Sequence, residues 1–179
     1  MSVTTIRPVM PGDAPAIAAI YAHYVDHGVA SFEEVAPDAA EMAGRIAAVL
    51  PAHPWLVAER GGRIVGYTYG RTYHARAAYR WTVETAIYLA HDQRRTGVGR
   101  PLYEALLDAL TDRGFVTAIA SITVPNPEST RFHEKLDFTP IGVMEGVGFK
   151  HGAWRNVGYW QLALGPRTIP PPTLRSEPA

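Results

Sequence analysis

The run Arg94-Arg95-Thr96-Gly97-Val98-Gly99 lies between an apolar strand-like segment, Ala86-Ile87-Tyr88-Leu89, and a helix-like segment from Pro101 to Arg113. A strand that turns into a helix through two glycines demands a tight βα junction and offers an anion cradle at the helix start. Gly97 and Gly99 carry no Cβ, so the backbone can bring several N–H groups against a ligand. The donors of a first helical turn have no partner inside the helix. A phosphate would satisfy them, aided by the helix dipole and by Arg94 and Arg95. The same letters also describe a glycine-softened turn with a solvated basic rim. A Walker-type loop would place Lys-Ser or Lys-Thr after the last glycine, whereas Arg100-Pro101 follows here. A dinucleotide fingerprint would need a third glycine, which is missing.

Around this junction the hydrophobic periods predict a mixed α/β chain. Val3 to Val9 alternates as an edge strand, and Pro11-Gly12-Asp13 offers a turn and an N-cap for a helix carrying Ile17, Ile20, Tyr21, Tyr24 and Val25 up to Gly28. Asp38 with Glu41 caps a second helix with Met42, Ile46, Val49 and Leu50 on one face. Trp55 to Glu59 and Arg63 to Arg71 flank Gly61-Gly62 as a hairpin, and Tyr79 to Leu89 reads as another long strand. After the glycine loop, Leu102, Leu106 and Leu110 share a helical face ending at Gly114. Thr117 to Val124 is strand-like, Pro127 to Leu136 a short helix, and Phe138 to Met144 and Asn156 to Leu164 are closing strands. The order is β-α-α-β-β-β-α-β-α-β-β. Residues 1–165 form one expected domain. The proline-rich segment 166–179 cannot continue a sheet and is expected to be extended and mobile.

Composition narrows the function classes. A chain of 179 residues with 47% hydrophobic residues suffices for one core. Seventeen basic residues balance seventeen acidic ones, so no net field favours nucleic acid or an anionic membrane, and any anion preference is local. The absence of cysteine excludes disulfides, thiolate metal sites and cysteine nucleophiles. His23, His27, His53 and His91 have no spacing that gathers three ligands, so no metal is expected. The start of the chain lacks an apolar signal core and no run approaches the ~20 apolar residues of a membrane span. The expectation is a soluble, cytoplasmic protein.

The form Arg-x-x-Gly-x-Gly at Arg94–Gly99 resembles the pyrophosphate loop of the GNAT family of N-acetyltransferases, and the element order is that of the same family. Three further stretches, 75–84 (ARAAYRWTVE), 132–136 (FHEKL) and 148–154 (GFKHGAW), are similar to phosphinothricin acetyltransferases and to their methionine sulfoximine/sulfone-acetylating relatives. The likeness spans roughly residues 3–164. It implies the GNAT fold, a central mostly antiparallel sheet flanked by helices. It also implies acetyl-CoA as co-substrate, a small amine or amino acid as acceptor, and a homodimer with a site wall contributed across the interface.

The resemblance also assigns roles. An amine attacks a thioester only as the neutral base, so a proton acceptor must lie near it. Glu84, entering the apolar strand where desolvation would favour the protonated carboxyl, matches the family's base. An arginine-paired structural glutamate explains the same position. The resemblance places the pantetheine arm on main-chain groups of Ile87, Tyr88 and Leu89, with Tyr88 or Leu89 supplying an oxyanion donor, and the pyrophosphate on Arg94, Arg95, Thr96, Gly97, Val98 and Gly99. Asn126 either contacts the coenzyme or only caps the Pro127 helix. His133 stands where many members carry a tyrosine that protonates the departing thiolate; it equally suits a hydrogen-bonded core position.

For the acceptor, Arg76 can grip a carboxylate and Tyr79 can add a hydroxyl; a surface ion pair is the other reading of Arg76. Phe32, Glu33 and Thr85 match residues lining the pocket. His74 replaces a common lysine and Glu33 a common arginine. Both changes remove positive charge, which implies that methionine sulfone or sulfoximine is favoured over a dianionic phosphinate. Lys150, His151 and Trp154 would form a turn near the site and the partner subunit, or an exposed loop with a half-buried tryptophan. The rivals to this reading are the same fold acting on another amine, such as a polyamine, an aminoglycoside or a protein N-terminus, and a non-catalytic acyl-CoA-binding module.

Overall fold

The computed structural model describes residues 3–175. Its sheet has seven strands: β1 (Thr4–Pro8), β2 (Trp55–Arg60), β3 (Arg63–Thr72), β4 (Thr82–Leu89), β5 (Thr117–Val124), β6 (Thr139–Lys150) and β7 (Ala153–Ala163). Their spatial order is β1-β2-β3-β4-β5-β7-β6, and β4–β5 is the parallel pair in an otherwise antiparallel sheet. The helices are α1 (Ala14–His27), α2 (Ala39–Val49), α3 (Gly99–Asp112) and α4 (Pro127–Glu134). Strand and helix order agree with the order read from the periodicities. Gly61 and Gly62, at φ +59° and +74°, make the two-residue turn joining β2 to β3.

The two faces of the sheet are covered separately. Ile17, Ile20, Tyr21 and Val25 of α1 and Met42 and Ile46 of α2 pack on Trp55, Val57 and Tyr67. On the opposite face lies α3, whose Leu102, Leu106 and Leu110 are fully buried, each stabilising the fold by roughly 1.5–3 kcal/mol. Gly70 lets α3 approach, since a Cβ there would come within 3.1 Å of Leu110, and Gly66 leaves room for the Leu89 side chain of β4, which a Cβ would meet at 2.5 Å.

Several local expectations are corrected. Asp38 does cap α2, accepting from Glu41 N–H at 2.8 Å. Asp13 does not cap α1. Its carboxylate accepts from Met10 N–H and pairs with Arg7, closing a 3-10 turn that precedes the helix. Tyr79 lies in another 3-10 turn, Ala77–Tyr79, and β4 begins at Thr82. Strand β6 continues to Lys150, well past Met144, with irregular register against β7 after Met144.

The tail is not free over residues 172–175. Trp81 Nε1 donates to Pro172 O at 2.7 Å, Arg175 N–H to Arg113 O at 2.9 Å, and Leu174 packs on the α3 core. Prolines lack a donor but keep their carbonyls, so a proline-rich segment can dock through acceptors. Pro178 and the rest of 176–179 lie outside the described residues. Among the described residues, no helix is long and apolar enough to cross a membrane.

Candidate active site

Strands β4 and β5 run side by side only at Thr82↔Thr117, Val83↔Ala118 and Glu84↔Ile119, then diverge. Two clefts open around this split. One, ≈ 1320 Å³, is lined by Tyr21, Phe32, Glu33, Arg45, Tyr69, Arg71, His74, Glu84, Thr85 and part of β6. The other, ≈ 720 Å³, is lined by Ile87, Leu89, Arg94, Arg95, Gly97, Gly99, Asn126 and the start of α4. Tyr88 and Ala30 line both, so the clefts meet there.

The register of β3–β4 decides which main-chain groups face the split. Ala90 N–H donates to Val65 O, and Tyr67 opposes Tyr88, so by antiparallel alternation residues 86 and 88 face β3. Thr85, Ile87 and Leu89 face the gap. Tyr88 N–H therefore lies in the ladder and not at the open edge. Leu89 is already engaged: its N–H donates to Tyr24 Oη at 3.2 Å, and the same hydroxyl donates to Leu89 O at 2.7 Å. Ile87 is left as the open main-chain rung.

In the second cleft, Arg95 and Gly97 have φ +61° and +84°, left-handed positions in a turn leading into α3, the kind of backbone whose successive N–H groups can converge on an anion. Thr96 Oγ1 donates to Gln93 O and tightens the turn, while Val98 is a buried core residue; the side chains of neither line the cleft. Glu128 of α4 pairs with both Arg94 and Arg95 across the mouth. Asn126 caps α4, accepting from Ser129 N–H at 3.1 Å, and lines the cleft as well.

In the first cleft, Glu84 lies opposite Arg71 on β3 and carries it as an ion partner, Oε2 at 3.0 Å from both Nε and Nη2. Glu33 is gripped by Arg45, at 2.7 and 2.9 Å, and accepts from Tyr21 Oη at 2.8 Å. The Arg45 guanidinium holds the Glu33 carboxyl below its ordinary pKa, while burial pushes the Tyr21 phenol up to about 12. Arg45 is thereby neutralised by Glu33 and Glu41, and Arg71 by Glu84, so the cleft holds two arginines but each is already ion-paired. Thr85 is buried, bonded to Tyr103 Oη and Ile119 O.

Besides Thr96 and Val98, three further predicted site residues do not line the clefts. Arg76 and Tyr79 are exposed and line neither one, because the 74–79 segment coils onto itself through ring contacts among Tyr73, His74 and Tyr79. His133 is 5% exposed and edge-on to Tyr103, Phe132 and Phe138; its Nδ1 bonds to Ser129 O at 2.8 Å. Burial lowers its pKa, so it sits as a neutral core histidine. His23, His27 and His91 do gather, with ring centroids 5.2 and 4.6 Å from His23. Among the described residues no group of three or more His, Cys, Asp or Glu is arranged to hold a metal.

Lys150 is buried at the end of β6, and its Nζ donates to Val25 O, Ser31 O and Glu33 O at 2.7, 2.7 and 2.8 Å. It pins the loop that carries Phe32 and Glu33 into the cleft. Phe32 in turn lies over Gly148, where a Cβ would meet its ring at 2.2 Å. Trp154 is 69% exposed, not half-buried.

Residues 6–157 match the model of the acetyltransferase (GNAT) domain. Among curated relatives, phosphinothricin N-acetyltransferase of Alcaligenes faecalis is 44% identical over 93% of this chain and 86% of its own length. The L-methionine sulfoximine/L-methionine sulfone acetyltransferase of Salmonella typhimurium is 32% identical over 93% and 98%. Among solved structures, a phosphinothricin acetyltransferase from Sinorhizobium meliloti in complex with acetyl-CoA superposes with a TM-score of 0.91 at 37% identity, covering 99% of this chain and 97% of that one. With its split β4–β5 pair and glycine loop at the head of α3, the chain belongs to the GNAT family of N-acetyltransferases.

Proposed function

We propose that this enzyme transfers the acetyl group of acetyl-CoA to the α-amino group of a small amino acid of the methionine sulfone, methionine sulfoximine or phosphinothricin type. The observation that carries the reading is the meeting of the two clefts at Tyr88, with the glycine turn at the far end of one and Glu84 on the wall of the other. The relatives' names point to the same acceptors, and the Sinorhizobium meliloti structure contains acetyl-CoA. The turn at 94–99 would take the diphosphate on its N–H groups, and Asn126 would border it. The pantetheine arm would extend along the open edge of β4 at Ile87 as an added strand.

Transfer is direct. Glu84, itself or through water, takes a proton from the acceptor ammonium; the freed amine attacks the thioester carbon. The Ile87 N–H, facing the gap, steadies the oxyanion. The C–N bond forms, the C–S bond breaks, and the thiolate leaves. Of the two protons shed by nitrogen, one ends on coenzyme A, carried by water because His133 lies in the core, and one passes to solvent. A second copy of the chain would cover β6, where Ile141, Val143, Met144, Val147 and Phe149 are exposed, and would close the acceptor cleft that β6 borders.

A thiol-release assay tests this with methionine sulfone, methionine sulfoximine, phosphinothricin, a polyamine and an aminoglycoside. Turnover of the amino acids is expected; turnover of only the polyamine or aminoglycoside overturns the acceptor class. Glu84→Gln should lower kcat by about 10²-fold or more with little change in acetyl-CoA affinity, and an unchanged rate dismisses Glu84 as base.

A further inference from the structure

The acceptor cleft holds two arginines in different states of engagement. Arg45 is used on both edges: Nη1 and Nη2 fork onto the two oxygens of Glu33, and Nη2 also donates to Glu41 at 2.6 Å. Arg71 touches one oxygen. Its Nε and Nη2 converge on Glu84 Oε2, while among the described residues Nη1 and Glu84 Oε1 make no hydrogen bond or ion pair. The Arg71 side chain is 55% exposed against 17% for Glu84, so its unengaged edge opens into the cleft.

Resting on the reading that the acceptor is an α-amino acid, we infer that Arg71 binds the acceptor's α-carboxylate while its ion partner Glu84 receives the acceptor's ammonium. The two residues are direct cross-strand neighbours, Arg71↔Glu84. Their charged ends already touch, Glu84 Oε2 at 3.0 Å from Nε and Nη2, so the unengaged Nη1 and Oε1 flank one contact within the span of a small zwitterion. The Nη1 edge grips the carboxylate, and Oε1 accepts from the ammonium and takes its proton. The result is an alternating four-charge array in which each unengaged atom of the resting pair gains an opposite charge. Two consequences follow. An amine without the carboxylate leaves Arg71 unmatched and docks poorly. Arg76, exposed and outside both clefts, is not the gripping residue.

The test compares L-methionine sulfone with 3-(methylsulfonyl)propylamine, the same molecule without its carboxylate, on wild type, Arg71→Gln and Arg71→Lys. Wild type should prefer the amino acid in kcat/KM by about 10- to 100-fold. Arg71→Gln should raise KM for the amino acid until the preference falls to about 3-fold or less, the loss towards the propylamine being much the smaller of the two. Arg71→Lys, a point charge without the fork, should restore part of the preference. Acetyl-CoA titration of each variant reports that the fold is intact. Equal loss towards both acceptors would mean that Arg71 acts only by holding Glu84, and would overturn the proposal. So would a preference retained in Arg71→Gln but abolished in Arg76→Gln. A wild type that acetylates neither compound, but does acetylate a polyamine, removes the amino-acid reading and this proposal with it.

Discussion

Replacing Lys150 by methionine keeps the length and apolar stem of the side chain and deletes its charge and three donors. The ammonium is saturated by Val25 O, Ser31 O and Glu33 O, and burial lowers its pKa. Each carbonyl left without a partner costs about 1–3 kcal/mol, roughly 3–9 in all. Relief of the ammonium's own desolvation offsets several kcal/mol of that. The net loss is about 3 kcal/mol. For a chain of 179 residues, at about 2–4 °C per kcal/mol, Tm should fall by roughly 6–12 °C. Because the three carbonyls bracket Phe32, the acceptor KM should rise as well, while acetyl-CoA affinity, set in the other cleft, should hold. Differential scanning fluorimetry and steady-state kinetics read both effects. A Tm within about 2 °C of wild type together with an unchanged acceptor KM would show that the ammonium does not hold the Phe32 loop.

Gly148→Ala should displace the Phe32 ring, which a Cβ would meet at 2.2 Å, raising acceptor KM several-fold with a Tm change of only about 2 °C, since the ring is the far end of a flexible side chain. Kinetics on both substrates separate this from general damage. Glu128→Gln should free Arg94 and Arg95 for the coenzyme diphosphate and tighten acetyl-CoA binding several-fold at low salt, as read by calorimetry; weaker binding would mean that the pairs preorganise the site. His53 and His133 both have pKa values lowered by burial, so below about pH 6.5 the unfolded chain takes up protons that the folded one refuses. Stability is therefore full above that pH and falls as pH drops, by at most about 1.4 kcal/mol per pH unit for each histidine. Urea melts of wild type and His133→Asn between pH 7.5 and 5 should show a shallower slope in the variant; a parallel slope would contradict the assignment.

The elements that build the fold were legible because their patterns are local. The α3 leucines at spacings of four, the Gly61-Gly62 turn, the Asp38 cap and the glycine loop each act within a few residues. The cleft at the glycine turn is legible for the same reason, since a βα junction and its N–H groups are contiguous in the chain. The acceptor cleft was harder to see. Arg71 becomes visible as a site residue only once β3–β4 register places it opposite Glu84, and Arg45 only once α2 packs beside the Phe32-Glu33 loop. Tyr24 reaches Leu89 across 65 positions, and Lys150 reaches Val25 across 125. No spacing in the sequence announces such pairs. His133 and Arg76 lie outside the clefts for the complementary reason: a motif fixes a residue's neighbours in sequence, whereas aromatic packing and the 74–79 coil decide whether its side chain reaches the cleft.

In the proposed transfer, the glycine turn before α3 and the carboxylate of Glu84 serve the two ends of a single reacting complex. A crystal structure with acetyl-CoA tests it most directly. The diphosphate should lie on the N–H groups of residues 95–99, the pantetheine along Ile87, and the acetyl carbon at the Tyr88 junction, facing Glu84. A coenzyme bound elsewhere, or one whose thioester points away from that carboxylate, would contradict the account.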